Sequence, residues 1–438
     1  MPPESVEEAA EARTTPPGER AWTRENPLSG VAALHPASSV RALLANKSFV
    51  ALFVGQMMSQ AGDQFVLVAA LYLINQMLGS QLAIAGIALA LALPRLPLSL
   101  LAGVVVDRWS RKRLMILSDL LRALVVLSPL LIRRPSQVWI LYVAGVALGS
   151  LTTFFEPARN AVIPNIVPQE HLFLANGMIQ ATFIVGTVVG AAAAGFAVDA
   201  YSPYYAFVFD SATFLFSAGA IGVMAIPPRA AQRHKATVRE IWRQLAVGIR
   251  FIGRSPLLLR IMGVTAVAAL GLSALMILGV GYLEQELGVS ASGFGMVVAA
   301  IGIGVAMGGA AVRWLVQRLS MPALVGGCLG LVGVSIMSFT LWPYYGTVVA
   351  GAVLVGIGVV IARAGLATMT QKLTPDHVRG RVESAVNMII GISTVGAQGL
   401  SGVAGELLSP QIVFLGAGAI TALAGFAALW VLRDRGAD

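Results

Sequence analysis

Apolar residues in this chain neither alternate nor recur as one-sided stripes. They come in long unbroken runs, separated by short polar or charged breaks. A helix that crosses the ~30 Å hydrocarbon of a bilayer needs about 20 mainly apolar residues at 1.5 Å each. Runs of that length predict twelve spans, at 48–78, 82–106, 114–132, 137–157, 172–198, 204–226, 257–283, 293–318, 321–342, 346–369, 383–408 and 411–432. Two stretches depart from the pattern. Residues 1–46 are charged, proline-rich and poor in large apolar side chains, which predicts a disordered tail without the basic start and short apolar core of a signal peptide. Residues 227–256 are strongly basic and contain an amphipathic helix, with Ile241, Leu245, Ile249 and Ile252 set against arginines. Such a helix suits a bed of anionic headgroups. It divides the chain into six-span halves, 47–226 and 257–433.

Composition agrees. Hydrophobic residues make up 57% of the 438 and charged residues 12%, with a mean hydropathy of +0.80. Soluble domains average about a quarter charged residues, so the chain needs lipid as solvent. The net charge of +9 does not point to nucleic acid, because the bases sit in short connections between apolar runs. Cys328 is the single cysteine and lies in an apolar run, so no intrachain disulfide can form. No phosphate-binding loop, nucleophile elbow or zinc spacing occurs, which argues against an ATP-driven pump or a hydrolase. No metal, cofactor or nucleotide is implied.

Lys and Arg concentrate in alternate connections: Arg41 and Lys47; the 108–113 cluster; Arg159; 229–260; Arg313 and Arg318; Lys372, Arg379 and Arg381; Arg433 and Arg435. The other connections carry only Arg133 and Arg134. Both termini and the 227–256 segment are therefore expected in the cytoplasm, in a multi-pass plasma-membrane protein. The halves also echo each other. VPQEHLFLANG…GFAVD (167–199) aligns with TPDHVRGRVES…GVAGE (374–406) at a displacement of 207 residues, pairing Gly195 with Gly402 and Asp199 with Glu406. Parallel six-helix repeats place a substrate site at their interface near mid-bilayer.

Charges inside the runs are the candidate chemistry. Asp63 lies roughly 22 Å along span 1, where a charge costs at least about 2.5 kcal/mol unless it meets water, a partner or a proton. It is a candidate proton carrier, or else a structural carboxylate bonded to Gln60 or Gln64. Asp119 and Arg122 are three residues apart on one helix face and are expected to pair near the cytoplasmic boundary. Arg95 and Arg363 could neutralise Asp63 or meet an anionic substrate. Asp210 lies close enough to the outer end of span 6 to reach the headgroups. Asp199 and Glu406 are expected as solvated boundary residues, and Glu284 and Glu286 fall in an outer loop. Met57, Met58, Phe65, Tyr72, Met276 and Tyr282 would suit an adaptable apolar cavity.

The stretch GVVVDRWSRKR, between spans 2 and 3, resembles the loop signature of the major facilitator superfamily through Gly103, Asp107, Arg108, Arg111 and Lys112, with Ser110 where that family usually has glycine. Span 5 resembles the antiporter signature of the family's drug-efflux branches through Gly177, Gly186, Gly190 and Gly195, with Ala191 in place of the proline and Ala194 in place of a glycine. FFEPARNAVIPNIVPQEHLFLANG and TPDHVRGRVES are similar to the branch that includes macrolide-efflux and enterobactin-exporter proteins. The span 4 arginine of many drug–proton antiporters is absent, and Gly145 stands in its place.

The resemblance implies an all-α integral membrane fold of twelve helices in two pseudo-symmetric halves. It also implies alternating access in which Asp107 latches the outward-facing state by meeting the start of span 11, supported by Arg108, Arg111 and Lys112. The expected function is proton-coupled export of an amphipathic small molecule such as a drug, macrolide or siderophore, by a monomer that is not an enzyme. The rivals are a proton-coupled nutrient importer, a lipid transporter and a non-transporting sensor.

Overall fold

The computed structural model describes residues 36–226 and 238–432. The expected tail therefore lies largely outside the described residues, as does the start of the 227–256 segment. The helices are α1 (Pro36–Ala45), α2 (Lys47–Leu78), α3 (Gln81–Ala92), α4 (Arg95–Arg108), α5 (Arg111–Val125), α6 (Trp139–Ile166), α7 (Leu172–Ala200) and α8 (Pro203–Gly222) in the first half. Then follow α9 (Val238–Arg254), α10 (Pro256–Gln285), α11 (Ala291–Val316), α12 (Met321–Leu341), α13 (Tyr345–Lys372), α14 (Arg379–Leu407) and α15 (Pro410–Val431). Among the described residues, twelve spans are long and apolar enough to cross a membrane, with α3 and α4 together making the second. The described residues contain no strand.

Polar caps and prolines explain most boundaries. Asn46 opens α2 by accepting from the Phe49 amide, Ser80 opens α3 by accepting from Ala83, and Ser255 opens α10 by accepting from Leu258. Gly79 closes α2 in the left-handed region (φ 60°), where a Cβ would be strained. Pro94 separates α3 from α4, because it cannot donate a helical N–H.

The largest departure from the sequence expectation is span 4. It was expected to end near 157 but runs to Ile166 through Pro157 and Pro164. Prolines are tolerated in spanning helices where neighbouring helices re-satisfy the freed backbone. Glu156 and Arg159, expected at or beyond the span's end, are therefore carried on a helix wall.

The two halves meet mainly at the end opposite the 108–113 bases. There α7 packs on α11, and α14 packs on α3. In the C-terminal half, Tyr282 and Met276 do not line an open apolar cavity. Tyr282 is 2% exposed and packs edge-on against Phe414, filling the space with Phe339. Its hydroxyl donates to the Phe339 carbonyl at 2.5 Å, one of the last carbonyls of α12 and so without an intrahelical partner. Tyr282→Phe should therefore lower unfolding free energy by about 1–3 kcal/mol, the cost of an unsatisfied buried acceptor. Thermal unfolding of the detergent-solubilised protein checks this, and an unchanged midpoint would refute it.

Candidate functional site

A cavity of about 490 Å³ lies wholly within the first half, between α2, α3, α4, α5, α6, α7 and α8. Its apolar walls include Leu67, Leu148, Phe155, Phe207 and Phe214. Its charged lining comprises Asp63, Asp210, Glu156, Arg95, Arg122 and Arg159.

These groups form a ladder in depth. Counted from the helix ends that carry the bases, Arg159 is about 10 Å in, Glu156 and Arg122 about 15 Å, Asp210 about 18 Å and Asp63 about 24 Å. Asp63 thus sits at the centre of α2, partly buried, and faces the cavity as a cavity-lining candidate should.

Asp210 does not reach the headgroup zone as expected. It is 1% exposed, and its carboxylate lies against the backbone of Gly62, one residue before Asp63. Thr213 Oγ1 donates to Asp210 Oδ1 at 3.0 Å. A Cβ at Gly62 would occupy the positions of both the Asp210 carboxylate and the Thr213 hydroxyl. Glycine here lets α8 bring a second carboxylate beside the first, and no local sequence signal announced it.

Arg122 pairs with Asp119 at 2.6 Å as its spacing predicts, with both residues buried. The pair is not a boundary feature, however. The guanidinium lies over the rings of Phe155 (4.2 Å) and Phe214 (4.8 Å) and lines the cavity that holds Asp63. Arg95 is exposed and lines the same cavity. Arg363 does not join it. It lines a separate cavity in the second half.

Sequence reasoning missed Gln56, Glu156 and Arg159. Arg159 Nη1 donates to the Oε1 of buried Gln56 at 2.7 Å, tying α6 to α2 along the cavity wall. The missed signal was the helical spacing of Glu156 and Arg159, three residues apart, across a proline that looked like a stop. At Gly145 an added Cβ would crowd the Ile87 and Ala90 side chains of α3. The cavity takes its cations from Arg95, Arg122 and Arg159.

The glycines of α7 divide their work. Gly186 and Gly190 press on Gln60 and Ala61 of α2, next to Asp63. Gly195 presses on the backbone of Ala291 and Ser292 at the start of α11, where a Cβ would have no room. Gly177 meets nothing within contact range.

Asp199 and Glu406, expected as solvated boundary residues, instead bridge the halves. Asp199 on α7 accepts from the Ser290 hydroxyl (2.6 Å), the Ala291 amide (3.0 Å) and the Ser292 amide (2.8 Å), which form the N-terminus of α11. Glu406 on α14 accepts from the Ser80 hydroxyl (3.0 Å) and the Leu82 amide (3.4 Å), the N-terminus of α3. The two residues paired by the 207-residue repeat thus make pseudo-symmetric clamps, each a carboxylate on the positive end of a helix in the facing half. Asn75 Nδ2 adds a third bridge to Glu284 at 2.6 Å.

At the basic end the bonds stay within the first half. Arg111 donates to the Ala161 carbonyl at 2.8 Å, and Lys112 donates to the carbonyls of Gly222 and Met224 at 2.7 and 2.8 Å. Arg108 is exposed, and a Cβ added at Gly103 would meet nothing within 4 Å among the described residues. The side chain of Asp107 lies outside the described residues.

Known proteins fit this arrangement. A family model described as Major Facilitator Superfamily matches residues 52–382 and, overlapping, 261–438. The MFS-type transporter YfiS of Bacillus subtilis is 28% identical over 218 residues, 49% of this chain and 51% of that protein, so the match spans about half of that relative. The multidrug efflux pump Tap of Mycolicibacterium fortuitum is 26% identical over 343 residues, 76% of this chain and 82% of Tap. Among solved structures, that of the nucleoside transporter NupG superposes with a TM-score of 0.74 at 12% identity, covering 89% of this chain and all of NupG. That likeness is one of fold. With twelve spans, two repeat-related halves and a family match over most of its length, this chain belongs to the major facilitator superfamily.

Proposed function

We propose that this chain is a proton-coupled exporter of amphipathic small molecules across the plasma membrane, working as a monomer with both termini in the cytoplasm. The observation that carries the proposal is the first-half cavity, apolar in its walls and holding Asp63 beside Asp210. An amphipathic cargo lays its apolar body on the accessible lining side chains Leu67, Leu148 and Phe183 and its polar groups on the amides and charges. On this reading the basic end faces the cytoplasm, and the clamps at Asp199 and Glu406 close the outer side. The state described is then inward-facing, with cargo entering past Arg159 and Glu156. A proton taken up at Asp63 removes a charge from mid-bilayer, and its release accompanies the return of the halves. Asp107, Arg108, Arg111 and Lys112 hold the opposite, outward-facing state. The efflux activity in Tap's name supports export over import.

Inside-out vesicles with an imposed proton gradient test the proposal through uptake of a fluorescent cationic dye. Wild type is expected to accumulate the dye only with the gradient, and Asp63→Asn is expected to lose at least 90% of that uptake, the scale of removing an essential coupling group (about 1.4 kcal/mol per tenfold). Uptake surviving in Asp63→Asn would remove Asp63 from the coupling path. Folded wild type that moves no dye inward, and instead takes up solute in right-side-out vesicles, would establish the importer reading.

A further inference from the structure

The second half contains a cavity of about 250 Å³, separate from the first, between α10, α13 and α14 on their basic side. Its lining differs in kind from the first cavity's: Thr265, Gln371 and Asn387 supply neutral hydrogen-bonding groups around Arg363 and Glu383.

The two charges are the informative feature. Arg363 lies about 14 Å from the basic end of α13, deep enough that a guanidinium there needs water or a partner. Glu383 lies about 6 Å from the basic end of α14. They line one cavity yet do not pair, since the ion pairs among the described residues include neither. Neither has a hydrogen-bond partner among the described residues. Arg379, the other base of the lining, is already paired with Asp376 at 2.5 Å. The cavity therefore presents a free cation deep and a free anion shallow, offset by about 8 Å along the helices.

We propose that this cavity binds a small zwitterion, with the ligand's carboxylate or phosphate on Arg363 and its ammonium on Glu383. Two extended residues span about 7 Å, so a dipeptide-sized molecule matches the offset. Asn387 lies at intermediate depth, about 12 Å in, and bonds the ligand's neutral polar groups, while Thr265 does so from the α10 wall and Gln371 at the mouth. A guanidinium suits a carboxylate or phosphate through its two-pronged donor geometry. This site lies outside the cavity proposed above for the cargo and does not rest on that reading, since binding itself needs no gradient.

The test measures ligand-induced thermal stabilisation of the purified full chain in nanodiscs, with alanyl-phenylalanine as probe. Its N-acetyl, C-amide form is the uncharged control. Wild type is expected to be stabilised by the zwitterion and not by the capped form. Arg363→Gln and Glu383→Gln are each expected to weaken apparent affinity at least tenfold, and the double variant by little more than either alone. Circular dichroism confirms that the variants are folded, and nanodiscs with and without phosphatidylethanolamine ask whether a lipid headgroup is the occupant. Stabilisation by that lipid alone, lost in both variants, would identify the zwitterion as a headgroup. Equal response to the capped peptide, unchanged affinity in folded Arg363→Gln, or no response to peptide or lipid would overturn the proposal. Binding that persists where gradient-driven dye uptake fails would preserve the site while refuting proton-coupled export.

Discussion

Arg122→Leu is expected to destabilise the protein by about 3–5 kcal/mol, because it leaves the fully buried Asp119 carboxylate without its cation. Asp119→Leu should cost a similar amount by stranding the guanidinium. The Coulomb term is only part of the loss. Arg122 also stacks over Phe155 and Phe214, so its removal frees two aromatic faces in the cavity wall. The paired replacement Asp119→Leu/Arg122→Met should recover most of the stability, since exchanging a whole buried pair for apolar groups of similar volume is often neutral. Thermal unfolding of the four proteins checks both points. Single variants that unfold like wild type would mean that water, not the partner, solvates these charges.

Asp199→Ala combined with Glu406→Ala is expected to open the end of the molecule that is closed here. Each carboxylate holds the first amides and hydroxyl of a helix in the other half. An exposed contact of this kind is worth about 1 kcal/mol, so losing both shifts the balance of states by about 2 kcal/mol, or roughly thirtyfold. Spin labels report it directly. With Cys328→Ala to remove the native thiol, Tyr201→Cys and Glu286→Cys place exposed labels on the two halves at this end. The distance between them should gain a longer population in the double alanine variant and less of it in either single one. An unchanged distribution would mean that the glycine seam of Gly195 on α11 holds this end shut without the clamps.

The spans were legible in the sequence because lipid demands that every backbone group be bonded internally, and a helix meets that demand within one long apolar run. Run length alone therefore placed eleven of the twelve within a few residues. Span 4 was misjudged at its end, because Pro157 and Pro164 carry a stop signal that holds in water and fails where neighbouring helices enclose the backbone. The repeat was also legible, and it aligned Asp199 with Glu406. The role of that pair was not, since capping a helix in the other half depends on which surfaces meet.

Asp63 and the Asp119–Arg122 spacing were visible because a charge inside an apolar run is costly and so conspicuous. The placement of Asp210 beside Asp63 was not visible, because it depends on Gly62 leaving room at a crossing of α2 and α8. The separation of Arg363 from that cluster was equally invisible, because helices distant in sequence form each cavity. By itself, then, the sequence determined the solvent, the spans, the two halves and the charges that needed an explanation. The tertiary structure alone decided which charges share a cavity and which end is closed, because both follow from how closely helix backbones approach, and the smallest side chains at a few crossings control that approach.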